Sequence, residues 1–346
     1  MSRALLQVSH LLRSGLRPGS VRSIEHAATR TWQLAPGVTR RRPRAYFLDG
    51  HIERIRGWQF FDHHPRHELE AGVEEHHGPT HVALIEDAWL LDGVLYKGNA
   101  CAHLRPRTTK WPQLEIDREL DTAAIYCTAQ GARWFGSWII DDCACYPLAE
   151  REGPPVTTDL PLSPHMRDYE VRFGMKPERL RNAHLRRALI FDDVGQNDDK
   201  RDRFRAIAKR ASTTAAAPHP GVFLLRGGAG ARRILRGERE LADQLQRTRG
   251  LKVIDPMAGD LAAIADACAG AQLIVGVEGS HLFHGLVFAA PGARILVLEP
   301  PTRFSSVVKH IADRDGYPFG FVVGTQAGED FTIDPDEVER TIDLFP

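Results

Sequence analysis

From Gly221 onward the chain alternates two hydrophobic patterns: short continuous apolar runs, and stretches in which apolar residues return every three or four positions. Gly221 to Leu225, Leu251 to Asp255, Leu273 to Val277 and Arg294 to Leu298 read as strands, with Phe319 to Val323 as a last edge strand. Gly237 to Arg249, Gly259 to Ala269, the stretch carrying Leu282, Leu286 and Val287, and Val307 to Asp313 read as helices. In Gly259 to Ala269 the residues Leu261, Ile264, Ala265 and Cys268 share one face. Strands alternating with helices predict an α/β fold with a doubly wound parallel sheet, and such sheets bind ligands at the carboxyl ends of their strands. Pro291-Gly292 ends the helix that follows Leu273 to Val277, so Ala271 to Pro301 reads as one βαβ crossover.

The amino-terminal half is less regular. Ala45 to Lys97 reads as short strands and turns, and His81 to Leu91 with Val94 to Tyr96 as a scaffolding hairpin across Asp92-Gly93. Trp134 to Asp142 fits a helix ending in two acids, Ala188 to Asp192 a strand ending in acids, and Asp198 to Arg210 a solvated helix face. Pro154 to Pro164 looks like a loop, and Ser212 to Pro220, rich in Ala, Thr and Pro, marks a domain boundary. The reading is therefore an extension over residues 1–44 without a core of its own, an α/β domain over 45–215 and a second over 216–346.

Composition narrows the class. Lys and Arg total 45, as do Asp and Glu, which argues against nucleic acid or another generic polyanion as partner. The five cysteines, Cys101, Cys127, Cys143, Cys145 and Cys268, suggest neither a disulfide framework nor a zinc site and suit a reducing, cytoplasmic setting. Cys143 and Cys145 read as buried structural thiols rather than a redox pair. His63, His64, His67, His76, His77 and His81 lie among Pro65, Gly78 and Pro79 without a helical ligand spacing, so no metal site is assigned. No run is long enough to span a membrane. Arg3, Arg13, Arg17 and Arg22, interspersed with leucines and free of acids, fit an amphipathic membrane-surface or transit segment as well as a loosely docked terminus, which we favour.

Chemistry concentrates at three predicted strand ends: Arg226 with Gly227-Gly228, then Glu278-Gly279-Ser280, then Glu299-Pro300-Pro301. Arginines in a glycine-rich loop (Arg226, Arg232, Arg233) suit a diphosphate, and the helix opening after Ser280, with His281 and His284 on its first turn, offers N–H groups to an anion. Glu299 is placed to accept from a ribose hydroxyl, or Phe304 to stack a base. Upstream, Ser137 and Asp141 share a helix face, and Trp138 and Asp142 the next; an acid desolvated among Trp134, Phe135 and Trp138 suits general-base work on a hydroxyl.

The run Val222 to Leu235, the run Gly276 to His284 and the closing Pro-Gly-Ala-Arg-Ile-Leu-Val-Leu resemble the glycosyltransferase family 61 domain of capsular polysaccharide biosynthesis proteins. The resemblance covers roughly Ala45 to the carboxyl terminus. It implies a GT-B-like arrangement of two Rossmann-like domains facing a cleft that closes over a nucleotide-sugar donor, inverting chemistry without a metal or other cofactor, and a glycan or other hydroxyl acceptor. By position, Arg226 and one of Arg232 or Arg233 meet the donor phosphates, and Gly279 matches the glycine of a His-Gly-Ala turn whose His is Glu278 here. The family's amino-terminal Gly-His, followed four positions after the His by an acid, corresponds to Gly136, Ser137 and Asp141, with Asp142 adjacent.

The reading that follows is a glycosyltransferase of capsular or other surface polysaccharide synthesis, cytoplasmic, with peripheral membrane contact left open. Asp141 or Asp142 is the base, and Arg226, Arg232, Arg233, Glu278, Gly279, Ser280, His281, His284 and Glu299 form the donor site. Two rivals are a non-catalytic nucleotide-sugar-binding or assembly protein, which Ser137 and Glu278 favour, and a nicotinamide-dependent oxidoreductase, which lacks its GxGxxG turn.

Overall fold

The computed structural model describes residues 6–10, 22–60, 64–212, 216–228 and 230–346. The chain divides into two compact units, Met1–Gly37 with Gly78–Phe204, and Val38–His77 with Arg205–Pro346. Among the described residues no helix is long and apolar enough to cross a membrane.

The first unit is built on a mixed sheet. Strand β1 (Thr80–Leu91) turns back through Asp92 and Gly93, both at positive φ (47° and 80°), into Val94–Lys97, as the Asp-Gly hairpin signal requires. Asp92 is fully buried, and its carboxylate gathers the Thr108 and Thr109 N–H groups and Arg105, which fixes the turn. β2 (Ala123–Ile125) is followed by helical segments ending in α1 (Cys143–Glu152), then by β3 (Pro155–Thr158), which lies parallel to β2. β4 (Asn182–Asp192) joins the halves, antiparallel to β1 over its whole length and parallel to β2. The sheet is thus part antiparallel ribbon and part parallel βαβ, where a Rossmann-like domain was expected. Its core includes Ile85, Leu90, Leu95, Ile125, Leu185 and Ile190.

Two expectations change here. The extension over residues 1–44 is in part integral: Ile24 is fully buried in the core, and Arg30–Ala35 is a strand antiparallel to β1. Leu6 packs with Leu91, Val94 and Tyr96, while residues 1–5 and 11–21, with most of the arginine-rich stretch, lie outside the described residues. The change of unit falls at Phe204, within α2 (Asp198–Ala211), upstream of the expected boundary at Ser212 to Pro220, of which residues 213–215 are also outside the description.

The second unit is the doubly wound sheet. β5 (Val222–Leu224), α3 (Glu238–Arg249), β6 (Lys252–Ile254), α4 (Leu261–Cys268), β7 (Leu273–Val277), α5 (Leu282–Phe288), β8 (Arg294–Glu299), α6 (Val307–Asp315) and β9 (Phe319–Val323) alternate as the hydrophobic pattern predicts. The strands are all parallel in the order β6-β5-β7-β8-β9. The order reverses between β5 and β7, so the crevice for a ligand opens beyond Leu224 and Val277. Residues 38–77, read from sequence as the end of the extension up to residue 44 and the start of the amino-terminal domain from residue 45, pack in this unit. Tyr46 bridges Gly320 beside β9, and Trp58 bridges Phe304. Gly57 permits that second approach, since a Cβ there would stand 2.5 Å from the Thr302 carbonyl oxygen.

Candidate functional site

Each unit carries one chemical constellation. In the first, the segment after β2 begins with Thr128, whose hydroxyl caps the short helix Ala129–Arg133 by accepting from the Gly131 N–H at 3.0 Å. The chain then runs through Phe135–Ser137 into a π turn, Trp138–Asp142, before α1. Turns of this kind insert an extra residue into a helix and reorient the side chains around it. Here the two acids separate. Asp142 is 1% exposed and takes both the Thr128 N–H (3.2 Å) and hydroxyl (2.8 Å). Burial pushes its carboxyl well above the usual range, against the pull of those bonds. It is a tie between helical segments.

Asp141 instead keeps a third of its side chain exposed (32%) and accepts from the Lys200 ammonium at 2.6 Å. Lys200 has no exposed surface; it also donates to the Asp193 carbonyl at 2.7 Å, and its own N–H is capped by Asn197 at the start of α2. The Asp193 Oδ1 atom accepts from Thr80 and Arg203, both at 2.7 Å, while its Oδ2 is buried with no partner. Ser137, Asp141 and Asp193 line one cavity of about 340 Å³, so the shared face read from the spacing of Ser137 and Asp141 is the cavity face. Trp138 and Asp142 turn to the buried side. All five cysteines are free thiols; burial pushes Cys143 and Cys145 well up, as structural thiols require.

A Cβ on Gly131 would lie 1.9 Å from the Asp142 carboxylate. Gly131→Ala is therefore expected to break the Thr128–Asp142 tie and lower stability by roughly 1–3 kcal/mol, read as a reduced urea midpoint with unchanged slope.

In the second unit the loop after β5 is held from below. Glu238, in the first turn of α3, accepts the Arg226 N–H at 2.7 Å and the Gly227 N–H at 2.9 Å. Burial raises its carboxyl, and those N–H groups partly counter the rise. The Arg226 guanidinium donates to the Ala231 carbonyl at 2.7 Å, drawing the loop closed. It also lies over Gly279, where a Cβ would stand 2.2 Å from its Nη1 and where the positive φ of 156° favours glycine in its own right. Arg233 pairs with the Glu278 carboxylate and donates to the Glu278 carbonyl at 3.3 Å. Burial and the neighbouring Arg226 and Arg303 pull Arg233 down from its usual value. With a carboxylate against it the guanidinium stays charged. Arg303 is depressed by burial as well, and its Nε is buried without a partner. Three guanidiniums thus converge where the strand order reverses. Arg233 and Arg303 open onto a cavity of about 290 Å³ also lined by Gln59 and Gln326.

Other expected donor residues are placed differently. Arg232 lines the same cavity as Arg233 but is exposed and pairs with Glu329 and Asp330, whereas Arg233 is the loop arginine that joins Arg226. The N–H groups of Leu282, Phe283 and His284 already donate to the carbonyls of Gly279, Ser280 and His281, which removes the helix opening as a ready anion cradle. Ser280 precedes the cap, a position held by His281. The His281 Nε2 is 3.2 Å from the Leu224 carbonyl, to which it donates; burial, then Arg226 and His284, push its imidazole down to about 3. His284 is buried within α5. Glu299 is fully buried, accepts from the Ser305 N–H and is raised well above the usual range by burial, so it faces protein and not a ribose. Phe304 is also fully buried, edge-on against Phe321, and stacks no base.

Among the described residues no group of three or more His, Cys, Asp or Glu side chains is placed to hold a metal ion. His76 bonds Thr39, His77 pairs with Glu75, and His63 lies outside the described residues. Lys200, Asp193, Glu238, Arg303 and Gln59 were not singled out from the sequence. An acid in the first turn of α3 and a cation just beyond the β8 strand end were available signals for Glu238 and Arg303. Gln59 arrives from the 38–77 segment and has none.

Residues 156–296 match the family model described as Glycosyltransferase 61. The match includes Arg226, Arg233, Glu278 and Gly279 and stops short of Asp141 on one side and Arg303 on the other. No curated protein matches the chain.

Proposed function

From the match of residues 156–296 to the family model described as Glycosyltransferase 61, we propose that the chain is a glycosyltransferase of that family, an inverting, metal-independent enzyme that uses a nucleotide-sugar donor in cytoplasmic steps of surface polysaccharide synthesis. The observation that carries this reading is the convergence of Arg226, Arg233 and Arg303 at the point where the parallel sheet of the second unit reverses its strand order. Guanidiniums held down by burial, and at Arg226 and Arg233 also by a cationic neighbour, gain most from an anion, and a diphosphate can be gripped by several at once. Glu278 offsets part of that charge and leaves an excess of positive sign.

In the proposed reaction an acceptor hydroxyl gives its proton to the Asp141 carboxylate as its oxygen attacks the anomeric carbon from the face opposite the diphosphate. The bond from that carbon to the diphosphate oxygen breaks, and the electron pair leaves on the nucleoside diphosphate. The arginines stabilise the charge that grows there. Acceptor chemistry is assigned to the first unit and donor chemistry to the second, in the GT-B manner.

The test is calorimetric titration of the full chain with UDP, GDP, dTDP, CMP and NAD, each with EDTA present. One nucleoside diphosphate is expected to bind, and its nucleotide-sugar to turn over with inversion at the anomeric carbon. A preference for NAD, or diphosphate binding that requires a divalent cation, would overturn the proposal.

A further inference from the structure

Asp141 is held from behind by a fully buried cation, Lys200. Lys200 lies in the first turn of α2, where Asn197 Oδ1 accepts its N–H at 3.0 Å. The buried Asn197 amide donates in turn to Thr80 at 3.0 Å and to the Gly78 carbonyl at 3.2 Å, which ties the start of α2 to the start of β1. Three residues on, Arg203 shares the face of Lys200 and donates to Asp193, to Asp199 and to the Ala144 carbonyl in α1. Lys200 thus grips the π turn at Asp141, and Arg203 grips the helix that continues it.

The consequence lies in the two oxygens of Asp141. Oδ1 accepts from the Lys200 ammonium at 2.6 Å, while Oδ2 takes no hydrogen bond from any described residue, and Asp141 lines the cavity. An ammonium has donors and no acceptor, so it always claims an oxygen. Its own position leaves little play, because the side chain has no exposed surface and the ammonium is also held by the Asp193 carbonyl at 2.7 Å. A free aspartate turns about two single bonds; one pinned at Oδ1 presents its other oxygen in one direction.

Resting on the assignment of Asp141 as base, we propose that Lys200 is a positioning residue for the transfer, holding Oδ1 of Asp141 so that Oδ2 is the atom that takes the acceptor's hydroxyl proton. As that proton passes to Oδ2, the acceptor oxygen bonds the anomeric carbon and the bond from that carbon to the diphosphate breaks, its electron pair leaving with the diphosphate. Lys200 touches none of the reacting atoms and acts only through Asp141. Misplacing a reacting group by about 1 Å is enough to cost about 10²-fold in rate.

A double-mutant cycle on the full chain tests this, reading nucleoside diphosphate release from UDP-glucose, GDP-mannose and dTDP-glucose with glucose as acceptor. Wild type, Lys200→Met, Asp141→Asn and the double variant are compared, and the urea midpoint and nucleoside diphosphate affinity are measured on each. Methionine keeps much of the length of the lysine stem, and Asp141, a third exposed, can take water in place of the lost ammonium. Lys200→Met is expected to lower kcat about 10²-fold with nucleotide affinity within about twofold of wild type. In the Asp141→Asn background it is expected to have no further effect on kcat, since a residue acting only through Asp141 has nothing left to act on. Should Lys200→Met not fold, Lys200→Gln completes the same cycle. A lower urea midpoint with kcat unchanged would make Lys200 purely structural and overturn the proposal, as would a loss that multiplies that of Asp141→Asn; in both cases the base assignment stands. Undiminished transfer by Asp141→Asn would overturn the base assignment and the role of Lys200 with it.

Discussion

Asp141→Asn is expected to lower kcat by about 10²–10⁴-fold, the usual contribution of a positioned general base, while nucleotide affinity stays within about twofold of wild type. The separation is expected because Asp141 contacts the first unit's cavity and Lys200, whereas the converging arginines belong to the second unit. The amide keeps an oxygen for Lys200 to bond, so the buried ammonium is not left without a partner and the fold is retained. Asp142→Asn is the matched control. Its carboxyl is already raised far above the usual range and bound to Thr128, so exchanging it for an amide is expected to change stability more than turnover. Steady-state rates and calorimetry on the two variants separate the roles. Loss in Asp142→Asn with retention in Asp141→Asn would reverse them, and retention in both would place the base at neither acid.

The second unit was legible because its information is local. Each strand and helix from β5 to β9 announces itself within its own run of residues, and parallel order follows from their alternation. In the first unit the decisive pairing is long-range. β4 lies antiparallel to β1 with Asn182 opposite Leu91, across some ninety residues of chain, and nothing within either strand names its partner. Residues 38–77 show the same limit. Their membership of the second unit depends on the bridges at Tyr46 and Trp58, which are properties of the folded surface and not of hydrophobic period.

The sites divide along similar lines. The shared face of Ser137 and Asp141 could be read from their spacing, and it is the cavity face. Which acid keeps access to solvent could not, because the π turn and the Thr128 tie decide it. Arg232 and Arg233 are neighbours with identical chemistry; only the placement of Asp330 against one and Glu278 against the other distinguishes them. Glu299 ends a strand, and strand ends in such sheets face ligands. β8, however, is flanked by β7 and β9, and the turn carrying Ser305 covers its end, so the rule that located the site misplaced this residue.

Arg226→Ala carries the second large expectation: a fall in turnover of about 10²–10³-fold, the scale seen when one preorganised donor to a developing anion is removed, together with weaker nucleoside diphosphate binding. Loss of the guanidinium removes its charge and also its bond to the Ala231 carbonyl, which shapes the loop. Global unfolding is expected to shift little, because Glu238 holds the loop through the backbone N–H groups of residues 226 and 227, which alanine retains. Arg226→Lys is expected to restore only a small part of the activity. An ammonium is a compact point donor, whereas the planar guanidinium fork reaches from over Gly279 to the loop carbonyl, a span that lysine cannot reproduce. Measuring kcat, diphosphate affinity and the urea midpoint on both variants decides the matter. If Arg226→Ala bound the diphosphate as tightly as wild type and turned over normally, the strand-end arginines would be structural and the donor site would lie elsewhere in the chain.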